Sequence, residues 1–131
     1  MDSRAITQFL TGHLDSVIAI YGYGSHARDE ARPTSDVDLA VLACHSIPAE
    51  RLFELAQDLA VKLHRDVDLL DLRTASTVMR VHVIATGQCL LTQDDRATAE
   101  FEMYAYADYA RLNEERRDLL KTITKRGLVY G

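Results

Sequence analysis

Two short apolar runs, Val17-Ile18-Ala19-Ile20-Tyr21 and Val37-Asp38-Leu39-Ala40-Val41-Leu42, constrain this chain more than any other feature. Each has strand length and β-branched content. Between them stand Gly24-Ser25 and, after ten residues, Asp36-Val37-Asp38. A Gly-Ser leaving a strand offers backbone N–H groups and a hydroxyl to a phosphate. Two aspartates at i and i+2 of a strand project from one face, roughly 7 Å apart along it. Oxygen ligands so placed suit Mg²⁺, which is commonly held by one or two carboxylates and substrate phosphates. A phosphate cradle beside metal carboxylates reads as nucleotidyl or phosphoryl transfer.

The remaining segments fill out an α/β fold, a small mixed β-sheet flanked by helices. Ile6, Phe9, Leu10 and Leu14 recur at helical spacing over 3–14, with Ser3 as N-cap. The first strand covers about 17–22, a short helix Ser25 to about Glu30, and the second strand about 37–43; Arg32-Pro33 breaks the helix between them. A helix over about Ala49–His64 buries Leu52, Leu55, Ala56, Leu59 and Leu63. Val67–Leu72 is apolar on both faces, as a central strand is. Residues 74–86 are helical but rich in β-branched residues, Gly87 ends them, and Gln88–Leu91 forms a fourth strand. A long C-terminal helix spans about 94–125, with Phe101, Tyr104, Ala105, Leu112, Leu119 and Ile123 as its core stripe. The whole, 1–131, is one domain, with a core over about 5–92.

Charge narrows the partners. Fifteen Lys and Arg against twenty Asp and Glu leave a net −5, which argues against a long footprint on nucleic acid, since that affinity comes from phosphate neutralisation. It leaves room for one nucleotide held through a metal. No apolar stretch approaches a membrane span, so no membrane partner is expected. Cys44 and Cys89, in apolar surroundings and without a cysteine framework, read as buried reduced thiols of a cytoplasmic protein.

A third carboxylate completes the site, and Asp68, which opens the third strand, is best placed. Asp66 shares its face but precedes the apolar residues and reads as solvated; Asp71 has the opposite parity and faces away. Three converging carboxylates repel one another unless a cation neutralises them. A nucleoside triphosphate adds about four further negative charges, which makes divalent metal close to obligatory. Asp36 and Asp38 then hold one or two Mg²⁺, and Asp68 helps bind the second ion and takes the proton of the incoming hydroxyl. His26 lies in the turn and is weighed as a phosphate contact only; His13, His45, His64 and His82 lack the spacing of a zinc site. Ser25 fits a phosphate-binding hydroxyl better than a nucleophile.

Gly24-Ser25, ten residues, Asp36-x-Asp38 and then Val67-Asp68-Leu69 together resemble the DNA polymerase β-type nucleotidyltransferase superfamily. In length the chain is similar to its minimal nucleotidyltransferases, the MNT antitoxins of HEPN–MNT toxin–antitoxin pairs, and the resemblance covers about residues 5–92. Members commonly read Gly-Ser-x-Ala-Arg-Gly at the turn; Gly24-Ser25-His26-Ala27-Arg28 fits, and Asp29 replaces the last glycine. The resemblance implies a polymerase β palm-like fold and Mg²⁺-dependent transfer of AMP from ATP to a tyrosine hydroxyl of a cognate HEPN ribonuclease, which is thereby silenced. It implies Gly24 and Ser25 on the triphosphate, Asp36 and Asp38 on two metal ions, and Asp68 as ligand and base. Arg28 either reaches a phosphate or is a solvated helix-surface arginine.

Two other functions stand beside this one. The chain could neutralise its partner by binding alone, or transfer a nucleotide to a small molecule, a reading weakened by the missing second domain. A template-dependent polymerase fits least. On the long helix Met103, Tyr106, Ala107 and Ala110 form a second stripe, read either as the toxin-facing surface of a hetero-oligomer or as packing on the sheet.

Overall fold

The structure, a computed structural model, describes residues 3–24 and 36–126. The expected short helix from Ser25 to about Glu30, with His26 and Arg28, lies outside them.

Among the described residues eight elements follow one another: α1 (Ser3–His13), β1 (Val17–Tyr23), β2 (Val37–Ala43), α2 (Ala49–Leu63), β3 (Val67–Asp71), α3 (Thr77–Thr86), β4 (Gln88–Thr92) and α4 (Asp95–Lys125). The sheet order is β3-β2-β1-β4. β1 runs antiparallel to β2 and β4, while β2 and β3, joined through α2, are parallel. A parallel pair needs such a crossover because its strands must start from the same end. The sheet is therefore mixed, as expected.

Side-chain alternation sorts the core into two layers. On one face Val17, Ile20, Val37, Leu39, Val41 and Leu69 meet Ile6 and Leu10 of α1 and Leu55, Ala56 and Leu59 of α2. On the other, Ala19, Tyr21, Tyr23, Ala40 and Leu42 meet Val83 of α3, with Met79, Ala97 and Phe101 packed around them. β1 is buried throughout and β2 at every residue except Asp38, which is half-buried, as the two central strands of a covered sheet should be.

The third strand departs from the expectation: β3 is an edge strand, not a central one. Leu69 is buried and Leu70 half-buried, on opposite faces, because helices cover both sides of the sheet even at its edge. Two-sided apolar character therefore does not by itself mark a central position. α3 begins three residues later than its sequence pattern, at Thr77, where the Ser76 hydroxyl accepts from Met79 N at 3.1 Å.

α4 corrects the expected stripe. Asp94 caps it, accepting from Ala97 N at 3.0 Å, and its 31 residues extend about 46 Å at 1.5 Å per residue. Only Thr98 and Ala105 are buried along it. Tyr104 is 63% exposed and Leu119 60%, so the core contact ends near the helix middle and the distal apolar residues reach no core. The reading of the Tyr-rich stretch as packing on the sheet fails too, because Met103 and Tyr106 are exposed. Tyr21 anchors the proximal half, its hydroxyl donating to Glu102 at 2.8 Å, and burial pushes that phenol well above its ordinary pKa.

Candidate active site

Gly24 is the first residue after β1, and it has φ +74°. An L side chain is strained there, but a second constraint is stronger. A Cβ on Gly24 would run into the carboxylate of Asp38. The turn thus passes directly over the carboxylate, which is possible only without a side chain. The sequence identified Gly24 for its N–H groups; the structure adds the contact with Asp38.

The register assembles the rest. Asp38 of β2 lies opposite Tyr23 of β1 on one side and Asp68 of β3 on the other. Registered neighbours project from the same face, with strands about 4.8 Å apart. Asp38 and Asp68 are therefore adjacent, on the face that α3 and α4 cover further along. Asp36 shares Asp38's parity one residue before β2 and is exposed. Asp38 is half-buried and Asp68 exposed, so the acids border solvent. Among the described residues no three acids, histidines or cysteines close into a ready metal cluster. Ser25 and Arg28, the other expected site residues, lie outside the described residues.

Two residues at the site escaped the sequence. Tyr23 is only 6% exposed, and its hydroxyl is pushed up to about 12, first by burial and then by the negative charges of Asp68 and Asp38. His82 of α3 meets the Tyr23 ring edge-on, with centroids 6.2 Å apart. α3 can come this close because a Cβ on Gly87 would lie 2.8 Å from the Gly22 carbonyl oxygen, too near for any other residue. The signal for Tyr23 was its place just before the glycine turn, but its neighbours depend on a strand register that no local pattern encodes.

Asp71 plays a different part. It is 2% exposed and accepts from Ile47 N at 2.9 Å and Arg73 N at 3.0 Å. It fastens the end of β3 to the segment before α2, away from Asp68 as its parity required. Asp66 is exposed, again as expected. At the other end of the strands, Arg73 Nε donates to Ala43 O at 2.7 Å and Arg80 Nε to Leu72 O at 2.8 Å. Both guanidinium groups lie over the Phe101 ring, at 5.9 and 5.4 Å. They border a hollow of about 300 Å³ with Tyr104 and Glu100. The cysteines correct another expectation: Cys44 and Cys89 are both exposed free thiols, since they sit where strands end or reach the sheet edge.

Known proteins share this fold. The family model described as "Polymerase beta, Nucleotidyltransferase" matches residues 4–96. The protein adenylyltransferase MntA of Shewanella oneidensis is 34% identical over 125 residues, covering 94% of this chain and 88% of MntA. A crystal structure of a toxin–antitoxin with AMP-PNP superimposes with a TM-score of 0.86 at 31% identity, covering 95% of this chain and 99% of that one. A structure of tri-AMPylated Shewanella oneidensis HEPN toxin in complex with MNT antitoxin gives 0.78 at 31% identity, over 93% of this chain and 95% of the other.

Proposed function

This chain belongs to the polymerase β nucleotidyltransferase family, and on that footing we propose that it is an antitoxin that transfers AMP from ATP to a tyrosine hydroxyl of a HEPN ribonuclease toxin. The observation that carries this reading is the adjacency of Asp38 and Asp68 under a side-chain-free Gly24 turn, in a chain that aligns along nearly its whole length with a protein adenylyltransferase.

The residues present fit Mg²⁺. The donor set is all oxygen, as that ion requires, and the missing Cβ at Gly24 keeps the Asp38 carboxylate clear on the side of the phosphate turn. Asp36 and Asp38 would hold the ions and Asp68 would complete the set. Bound there, Mg²⁺ would neutralise charge on the triphosphate oxygens.

The chain's own residues then divide the work. Gly24 and Ser25 present N–H groups and a hydroxyl to the triphosphate, and Arg28 supplies a cation to it. Asp68 accepts the proton of the tyrosine hydroxyl as its oxygen attacks the α-phosphorus. The new O–P bond forms as the bond to the β-phosphate oxygen breaks, and pyrophosphate leaves in line. The acceptor tyrosine belongs to the toxin, and the exposed Met103, Tyr104 and Tyr106 on α4 offer an apolar and aromatic surface of the kind interfaces favour.

Purified protein incubated with α-labelled ATP, Mg²⁺ and a HEPN toxin tests this. Label should appear on a toxin tyrosine and vanish with Asp38→Asn, whose fold should be unchanged. Asp38→Asn transferring at the wild-type rate would refute the assignment. A stable complex without label would point instead to neutralisation by contact.

A further inference from the structure

Most polar groups buried in this molecule are accounted for. Tyr21 donates to Glu102, Asp71 accepts two backbone N–H groups, and Thr98 shares a hydrogen bond with Thr92 at 2.8 Å. Among the described residues Tyr23 is the exception. It is only 6% exposed, yet its hydroxyl makes no hydrogen bond to any described residue, while its ring meets His82 edge-on. Buried hydroxyls in folded proteins are nearly always bonded, and leaving one unbonded costs stability. The register sets this one beside Asp38, with Asp68 next in line, one residue before the Gly24 turn.

We propose that the Tyr23 hydroxyl is a positioning donor reserved for the loaded site, giving its hydrogen bond to an anionic oxygen that comes into reach only when nucleotide and cation bind. The inference rests on the nucleotidyltransferase reading above and deepens it. A phenol is protonated at neutral pH and hence a donor. The acceptor is either a triphosphate oxygen or a carboxylate oxygen of Asp38 or Asp68 once that acid has turned toward the cation. Ligating carboxylates are themselves commonly held by such outer bonds. His82 and the packed ring fix the hydroxyl's place, so little rotational freedom is lost on binding.

Tyr23→Phe removes the oxygen and keeps the ring. The full-length variant and the wild type are compared in three measurements: thermal melting without ligand, Mn²⁺ binding by electron paramagnetic resonance, and AMP-PNP binding by calorimetry at saturating Mn²⁺. The variant without ligand should melt at or above the wild-type temperature, because an unbonded buried hydroxyl has been removed. Binding should weaken about tenfold, the size expected for one hydrogen bond to a charged oxygen. Loss confined to AMP-PNP assigns the acceptor to phosphate; loss already visible with Mn²⁺ alone assigns it to a carboxylate. Unchanged affinity in both assays overturns the proposal, as does a lower melting temperature with unchanged affinity, which would mean a purely structural hydroxyl. Asp38→Asn serves as the control for the underlying reading. If it binds Mn²⁺ and AMP-PNP as the wild type does, the metal-site assignment fails, whatever Tyr23→Phe shows.

Discussion

Replacing Gly24 with alanine separates two costs that the structure superimposes at one atom. The first is conformational: at φ +74° an L residue costs about 1–2 kcal/mol. The second is steric, since the new methyl meets the Asp38 carboxylate and must push it from its rotamer, at about 0.5–1.5 kcal/mol. Reduced freedom of the unfolded chain returns about 0.4–1 kcal/mol. The net loss is about 1–2.5 kcal/mol, a fall of several degrees in Tm for a domain of this size. In an Asp38→Ala background the steric part disappears, and the same substitution should cost about 1 kcal/mol less. Urea unfolding of the four proteins of this double-mutant cycle measures the coupling directly. Transfer to the toxin should fall about a hundredfold in Gly24→Ala alone, because a displacement of about 1 Å at a reacting group has that effect. Equal stability costs in the two backgrounds would refute the contact with Asp38 as the reason for glycine here.

Other perturbations follow from the same geometry. Asp71→Ala leaves two part-buried N–H groups without their acceptor and should cost about 1–3 kcal/mol in chemical unfolding, while transfer per folded molecule stays at the wild-type level. Met103→Glu with Tyr106→Glu should change the stability of the isolated chain by less than about 0.5 kcal/mol, both sites being exposed, yet abolish co-purification with the toxin. Tyr23 should ionise near 12 in an alkaline absorbance titration, and its absence should be evident in Tyr23→Phe. Because its folded pKa lies above the ordinary 10, the protonated phenol favours the native state. That contribution is complete below about pH 10 and is lost as pH rises toward 12.

The strands and most helices were legible because their signals are local. Two apolar runs flanking a Gly-Ser turn can be read without knowing what they pair with, and parity alone put Asp38 and Asp68 on usable faces and Asp71 on the other. Pairing is not local. Nothing in Val67–Leu72 says that its outer side lacks a neighbour, so its sequence reads as that of a central strand. Nor does anything around Tyr23 say that Asp38 lies opposite. The thiols differ from their sequence reading for the same reason: Cys89 has apolar neighbours in sequence but sits on an edge strand. In α4 the periodicity of Leu112, Leu119 and Ile123 continues the buried stripe perfectly, while the sheet beneath it ends. Amphipathic spacing reports which face is apolar, not whether anything covers it.

The edge position of β3 sets an order in which the molecule would lose its properties. β3 is five residues long and, among the described strands, hydrogen-bonded to β2 alone, and peripheral segments of this kind open at free energies well below that of global unfolding. Asp68 travels with β3, whereas Asp38 and Gly24 belong to the two interior strands. Under mild denaturant or warming, catalysis would therefore fade while the helical signal and the nucleotide turn persist. A chain in that condition could still occupy a partner without modifying it, so contact and chemistry, two services drawn from one domain, would fail at different thresholds.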